Sequence, residues 1–171
     1  MDQRAEQEDM SHLVKVQEVY DNLLNRCQSL MLATVNPDTT PLASYTPFVV
    51  DQSRQFYIFI SSLAHHTANL QRSRQASLML IEDEQAAAQI FARRRLTFQC
   101  EARFIERGTD EWEMASTLYQ ARFGEFFAMI KSFSDFQMCR LSPTKGWLVL
   151  GFGQAYTISG KNLDILTHRS R

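Results

Sequence analysis

The stretch LMLATVNPDTTPLASYTPFVVDQSRQFYIFI, residues 30–60, decides the fold. It holds three apolar runs, 30–35, 42–50 and 56–60. Between them stand Asn36-Pro37-Asp38-Thr39-Thr40-Pro41 and Asp51-Gln52-Ser53-Arg54-Gln55. Short runs rich in branched and aromatic residues, bounded by Pro, Asn, Asp and Ser, read as strands and turns. The connections are too short for crossover helices, so the strands form an antiparallel meander.

Upstream, Leu13, Val14, Val16, Val19, Tyr20, Leu23 and Leu24 recur at spacings of three and four, predicting a helix over 3–27. Downstream, Ser61 or Ser62 is placed to cap a short helix running to Gln71. A fourth strand follows at 76–81, a helical stretch at 84–92 and a long alternating strand at 95–105. Thr109-Asp110-Glu111 opens a long helix to about Phe133, with a broad apolar face from Trp112 to Phe133. The last strands are read at 136–141 and 147–158, joined by a turn at Ser142-Pro143-Thr144-Lys145-Gly146. The expected fold is mainly β with helices: six or seven antiparallel strands in a closed or split β-barrel. The expected boundaries are an N-terminal helix over 1–27, a barrel domain over 28–160 and a short C-terminal tail over 161–171.

At 171 residues the chain suits one domain. Its 18 basic and 19 acidic residues nearly cancel, which argues against a nucleic-acid partner needing a dominant positive field. No apolar run is long enough for a membrane helix, and the polar, partly acidic residues 1–9 are unlike a signal peptide, so the expected location is the cytoplasm. Cys27, Cys100 and Cys139 are scattered without a CxxC pair, which fits reduced, mostly buried thiols.

Several residues are candidates for chemistry. Gly151-Phe152-Gly153-Gln154-Ala155-Tyr156 places two glycines and the Gln154 amide in a strand-like run, which suits a barrel corner or a close-approaching ligand. His65 and His66, beside Ser61 and Thr67, stand where a helix starts after a strand, a position suited to a metal, haem or phosphate or to two ordinary imidazoles. Arg93-Arg94-Arg95 can grip carboxylates or phosphates, or can be a solvated strand entry. Asp135 precedes a strand, and His168 lies near the C-terminus.

Six segments carry a family resemblance: Ala43-Ser44-Tyr45-Thr46-Pro47-Phe48, Ala64-His65-His66-Thr67-Ala68-Asn69-Leu70, Met79-Leu80-Ile81-Glu82-Asp83-Glu84, Phe91-Ala92-Arg93-Arg94-Arg95-Leu96-Thr97-Phe98, Arg122-Phe123-Gly124-Glu125 and Gly151 to Tyr156. In this order they resemble the HugZ/HutZ haem-utilisation proteins of the pyridoxamine 5′-phosphate oxidase-like, FMN-binding split-barrel superfamily. The resemblance implies a homodimer with haem at the interface and oxidative haem degradation fed by an electron donor. It implies His168 as the iron ligand, with His65 or His66 as fallback, and Asp135 as the acid that hydrogen-bonds the ligating imidazole. Arg93, Arg94 and Arg95 become the propionate partners. Two alternatives stay open. One is an FMN-binding oxidoreductase with phosphate near Ser61 and Thr67, although no lysine or arginine stands in that segment. The other is a non-catalytic haem carrier.

Overall fold

The computed structural model describes residues 3–160 and 163–169, with side chains of the first helix from Val14 onward. Its elements are α1 (Gln3–Arg26), β1 (Ser29–Val35), β2 (Pro41–Val50), β3 (Phe56–Ser61), α2 (His65–Ser73), β4 (Gln75–Ile81), β5 (Arg95–Ile105), α3 (Asp110–Lys131), β6 (Phe136–Gly151), β7 (Gln154–Ser159) and β8 (Ile165–His168). The eight strands form one antiparallel sheet in the order β3-β2-β1-β4-β5-β6-β7-β8. β3 also pairs with β6, from Phe56 opposite Leu141 to Ser61 opposite Phe136. That second pairing closes six strands into a barrel and leaves β7 and β8 as an extension.

Strand alternation builds the interior. Leu30, Leu32 and Thr34 of β1 point inward and Ser29, Met31, Ala33 and Val35 outward. The inner faces supply Phe48, Phe56, Ile58, Leu78, Leu80, Leu96, Phe98, Leu141, Leu148 and Tyr156 to one buried cluster. Val16, Tyr20, Leu23 and Leu24 of α1 and Leu70 of α2 join it, so two helices complete the core that the strands begin. On the outside, α3 lays Trp112, Ala115, Tyr119 and Phe127 on Val49, Tyr57, Phe59, Ile105 and Met138. All three cysteines are free; burial raises the thiol pKa of Cys100 and lifts that of Cys139 to about 12.

Five local expectations need correction. The predicted turn at Ser142 to Gly146 is the middle of β6, a strand of 16 residues. β5 pairs across it, and a register shift at Gln99 and Cys100 absorbs Thr144 as a bulge, which accommodates Pro143. Gly146 is there for packing, since a Cβ would collide with the Phe98 ring. The chain turns instead at Phe152-Gly153, where Gly153 takes φ 70°. Residues 84–92 form two short 3-10 turns, because none of them is buried and no tertiary face sustains a helix. α3 is interrupted at Gly124, with φ 58° and ψ −135°, so Phe126, at 65% exposed, leaves the predicted apolar face. α2 begins at His65 with Ala64 as its cap and no side-chain capping bond, so neither Ser61 nor Ser62 caps it. Within residues 161–171, read as a tail, Ile165–His168 forms β8 on β7.

Candidate functional site

The predicted residues fall into two groups at opposite ends of β6. The first gathers where β3 ends, α2 begins and β6 starts. The β3–β6 pairing sets Ser61 opposite Phe136, which brings Asp135 to the β3 end. The Ser61 hydroxyl donates to Asp135 Oδ2 at 2.6 Å, the range of a charge-assisted bond, and the Ser62 amide donates to the Asp135 carbonyl at 2.7 Å. The Leu63 amide donates to Ser61 Oγ at 3.1 Å. One carboxylate oxygen is thereby fixed, which orients the other.

Thr67 is buried and donates its hydroxyl to the Ser61 carbonyl at 2.6 Å. The Ser61 and Thr67 hydroxyl protons expected to hold a phosphate are therefore committed inside the chain. His65 is exposed. His66 is half-buried with Nδ1 3.1 Å from Ser44 Oγ, and burial lowers its pKa, favouring the neutral imidazole. Ser44 Oγ in turn donates to the Leu32 carbonyl at 3.3 Å. With that proton committed, Nδ1 carries the imidazole hydrogen and Nε2 presents a lone pair, the form that binds iron.

The second group lies along the β5–β6–β7–β8 end of the sheet. Arg95 is opposite Val149, Val149 is opposite Ala155, and the Arg169 amide donates to the Ala155 carbonyl at 2.8 Å. The neighbouring row runs Leu96, Leu148, Tyr156, His168. Strand spacing then puts the backbone of Arg95 about 14 Å from that of β8. His168 is exposed, its Nε2 is bonded to the Gly153 carbonyl at 3.0 Å, and its ring stands edge-on to Tyr156 with centroids 5.2 Å apart. A carbonyl only accepts, so Nε2 carries the proton in this bond and Nδ1 keeps the lone pair. Gln154 is exposed beside the Phe152-Gly153 turn, and Phe152 and Phe91 are 73% and 83% exposed.

The arginine run divides by role. Arg93 sends Nε and Nη2 to the Glu82 carbonyl and pairs Nη1 with Glu84 at 2.9 Å, so it braces the loop after β4. Arg95 is half-buried, with Nη1 on the Arg93 carbonyl at 3.1 Å. Arg94 is exposed; its amide donates to Glu82 Oε1 at 2.8 Å and its carbonyl accepts the Glu82 amide at 3.0 Å.

Within one chain the structure does not bring Asp135 to His168. Phe136 follows Asp135, and Leu148 lies in the cross-strand row of His168 with Tyr156 between them; twelve residues of strand span roughly 40 Å along the curved chain. Sequence reasoning missed Ser44 as the partner of His66 and Ser61 as the partner of Asp135. Ser44 stood in a quoted motif, but only the barrel register aims it at α2.

A donor set of this kind fits haem. An imidazole held through its second nitrogen, exposed aromatic rings and an exposed guanidinium match iron, macrocycle and propionate respectively.

Comparison with known proteins points the same way. A family model described as pyridoxamine 5′-phosphate oxidase matches residues 16–150. The chain is 38% identical over 168 residues to a protein named heme oxygenase HutZ from Vibrio cholerae, covering 98% of this chain and 94% of that one. A crystal structure of V. cholerae HutZ, described as a heme storage protein, superposes with a TM-score of 0.73 at 36% identity, covering 80% of this chain and 96% of that one. Campylobacter jejuni ChuZ superposes with a TM-score of 0.81 at 32% identity, over 91% of this chain and 63% of that longer one.

Proposed function

The chain belongs to the HugZ/HutZ haem-utilisation family of the pyridoxamine 5′-phosphate oxidase-like split barrels, and from that premise we propose that it binds haem between two protomers and degrades it oxidatively to release iron. The observation that carries this reading is His168, an exposed imidazole pinned by the Gly153 carbonyl on the same sheet end as Arg94 and Arg95. In this reading His168 ligates iron and Arg94 and Arg95 meet the propionates, while Arg93 holds the loop that presents them.

When the His168 Nδ1 lone pair ligates iron, Asp135 of the partner subunit takes the place of the Gly153 carbonyl as acceptor of the single Nε2 proton. That arrangement answers the separation of the two groups within one chain, because a two-fold dimer in which the two copies of β6 run antiparallel past each other would set one end of β6 beside the other. Ser61 keeps one Asp135 oxygen occupied and leaves the other to accept an imidazole proton. A carboxylate in that place fixes the ring and raises its basicity as a ligand. Bound haem supplies the redox-active iron and the site for oxygen, with electrons from an external donor. The chain's residues would hold the ring and fix its orientation.

A second reading, haem storage without turnover, is favoured by the description of the V. cholerae HutZ structure as a storage protein. The FMN reading is disfavoured, because the α2 start carries no lysine or arginine and the Ser61 and Thr67 hydroxyls are committed elsewhere.

Hemin titration tests the proposal. The Soret band should saturate at one haem per chain, shift in His168→Ala, and bleach when ascorbate is added in air with catalase present. Saturation without bleaching supports storage. An unchanged spectrum in His168→Ala removes it as the ligand and leaves the Nε2 lone pair of His66 as the next choice. The absence of saturable binding defeats both haem readings.

A further inference from the structure

A cavity of about 720 Å3 opens where α2 ends, lined by Arg74, Arg103, Arg140, Glu101, Gln75 and Gln137 among others. Three of its features are unfavourable to the fold when taken alone. Arg103 on β5 and Arg140 on β6 stand directly opposite each other, and like charges so placed repel. They share one carboxylate: Glu111 takes Arg140 Nη1 at 2.9 Å on one oxygen and Arg103 Nη2 on the other. Arg140 Nε is buried with no partner, one of three such side-chain atoms among the described residues. Arg74 sits in the left-handed region, φ 54° and ψ 22°, where glycine is the usual residue closing a helix. Its carbonyl accepts the Ala102 amide at 2.8 Å, which fixes Arg74 beside Arg103 on the cavity rim.

An oxyanion in the cavity answers the first and the last. It offsets the repulsion between Arg103 and Arg140 and explains a long cationic side chain at a glycine position. Three guanidiniums stand against two carboxylates, Glu101 and Glu111, and planar forked donors suit phosphate oxygens. The volume lies within the range of small-molecule sites. We propose that this cavity is a binding site for a small phosphate-bearing anion. It adjoins the Ser61–Asp135 corner, since Gln137 is two residues along β6 from Asp135, but it shares no residue with the haem site proposed above.

The test is thermal melting of the full chain, with and without haem, in increasing inorganic phosphate at ionic strength matched with sodium chloride. Ligand binding to the native state raises the midpoint saturably. The midpoint should rise with phosphate and not with chloride. Arg74→Gly keeps a backbone that favours φ 54° and so folds; its half-saturation should weaken at least tenfold. Lys15→Gln, altered at an exposed position of α1 outside the cavity lining, should keep the wild-type response. A wild-type rise no larger than that in chloride, an undiminished rise in Arg74→Gly, or its loss in Lys15→Gln overturns the proposal. Hemin titration of Arg74→Gly separates the two sites: unchanged haem affinity is expected, and its loss would assign Arg74 to the haem site instead.

Discussion

His65 and His66 are adjacent in sequence and opposite in circumstance. Successive helical residues point about 100° apart, so one faces solvent and the other packs toward Ser44. Burial holds the His66 pKa below its ordinary 6.5, so the folded state resists its protonation. Between the two values the unfolded chain binds the proton more readily than the native chain. Stability from neutral His66 is thus full above about pH 6.5 and falls as pH drops through its folded value. Melting temperature measured from pH 7.5 to 5 should decline less steeply in His66→Gln than in wild type. Equal slopes would show that His66 does not titrate in this window. The sequence marked the histidine pair and the Ser61, Thr67 and Asp135 positions. It did not reveal that Ser61 and Asp135, 74 residues apart, are bonded to each other, since that contact depends on β3 meeting β6.

At the scale of elements, α3 depends on one hydroxyl. Tyr119 is fully buried; it accepts the Phe59 amide at 3.0 Å and donates to the Pro47 carbonyl at 2.9 Å. Those contacts fasten the helix to β2 and β3, while ring packing with Phe59, Phe123 and Phe127 covers the rest. Tyr119→Phe keeps the ring and strands both backbone groups, so chemical denaturation should show a loss of about 1–3 kcal/mol. A loss below about 0.5 kcal/mol would mean that water replaces the hydroxyl. Strong periodic or alternating stretches were legible: β5 has the bounds its alternation predicted, and Thr109 caps α3 by accepting the Trp112 amide. Local turn formers misled at 142–146, where β5 on one side holds Pro143 and Gly146 in strand geometry. β8 was missed because four residues carry too little pattern, and its partner β7 is what orders them.

At the scale of the whole molecule, one face of the barrel is left uncovered among the described residues. Met31, Ala33 and Val35 of β1 and Ala43, Tyr45 and Pro47 of β2 all point outward and are exposed, with Met31 opposite Tyr45 and Ala33 opposite Ala43. A contiguous exposed apolar sheet face is characteristic of an interaction surface. It supports the proposed dimer, in which each copy completes the other's site. The double variant Met31→Glu/Tyr45→Glu should sediment as a monomer and bind haem more weakly than wild type by tenfold or more. A dimer that persists with unchanged haem affinity would place the interface elsewhere.

The sequence by itself determined the antiparallel meander, the helices at each end of residues 3–131 and the family, because strand alternation, helical spacing and short turns are local physics written every few residues. Only the tertiary structure decided how the meander closes. It set β3 on β6, carried β6 straight through its apparent turn and placed Asp135 just before β6 and His168 on β8, toward the other end of the sheet. Those outcomes follow from pairings between distant segments, where burial and backbone hydrogen bonding across the barrel outweigh local turn preference, and no stretch of sequence contains both partners.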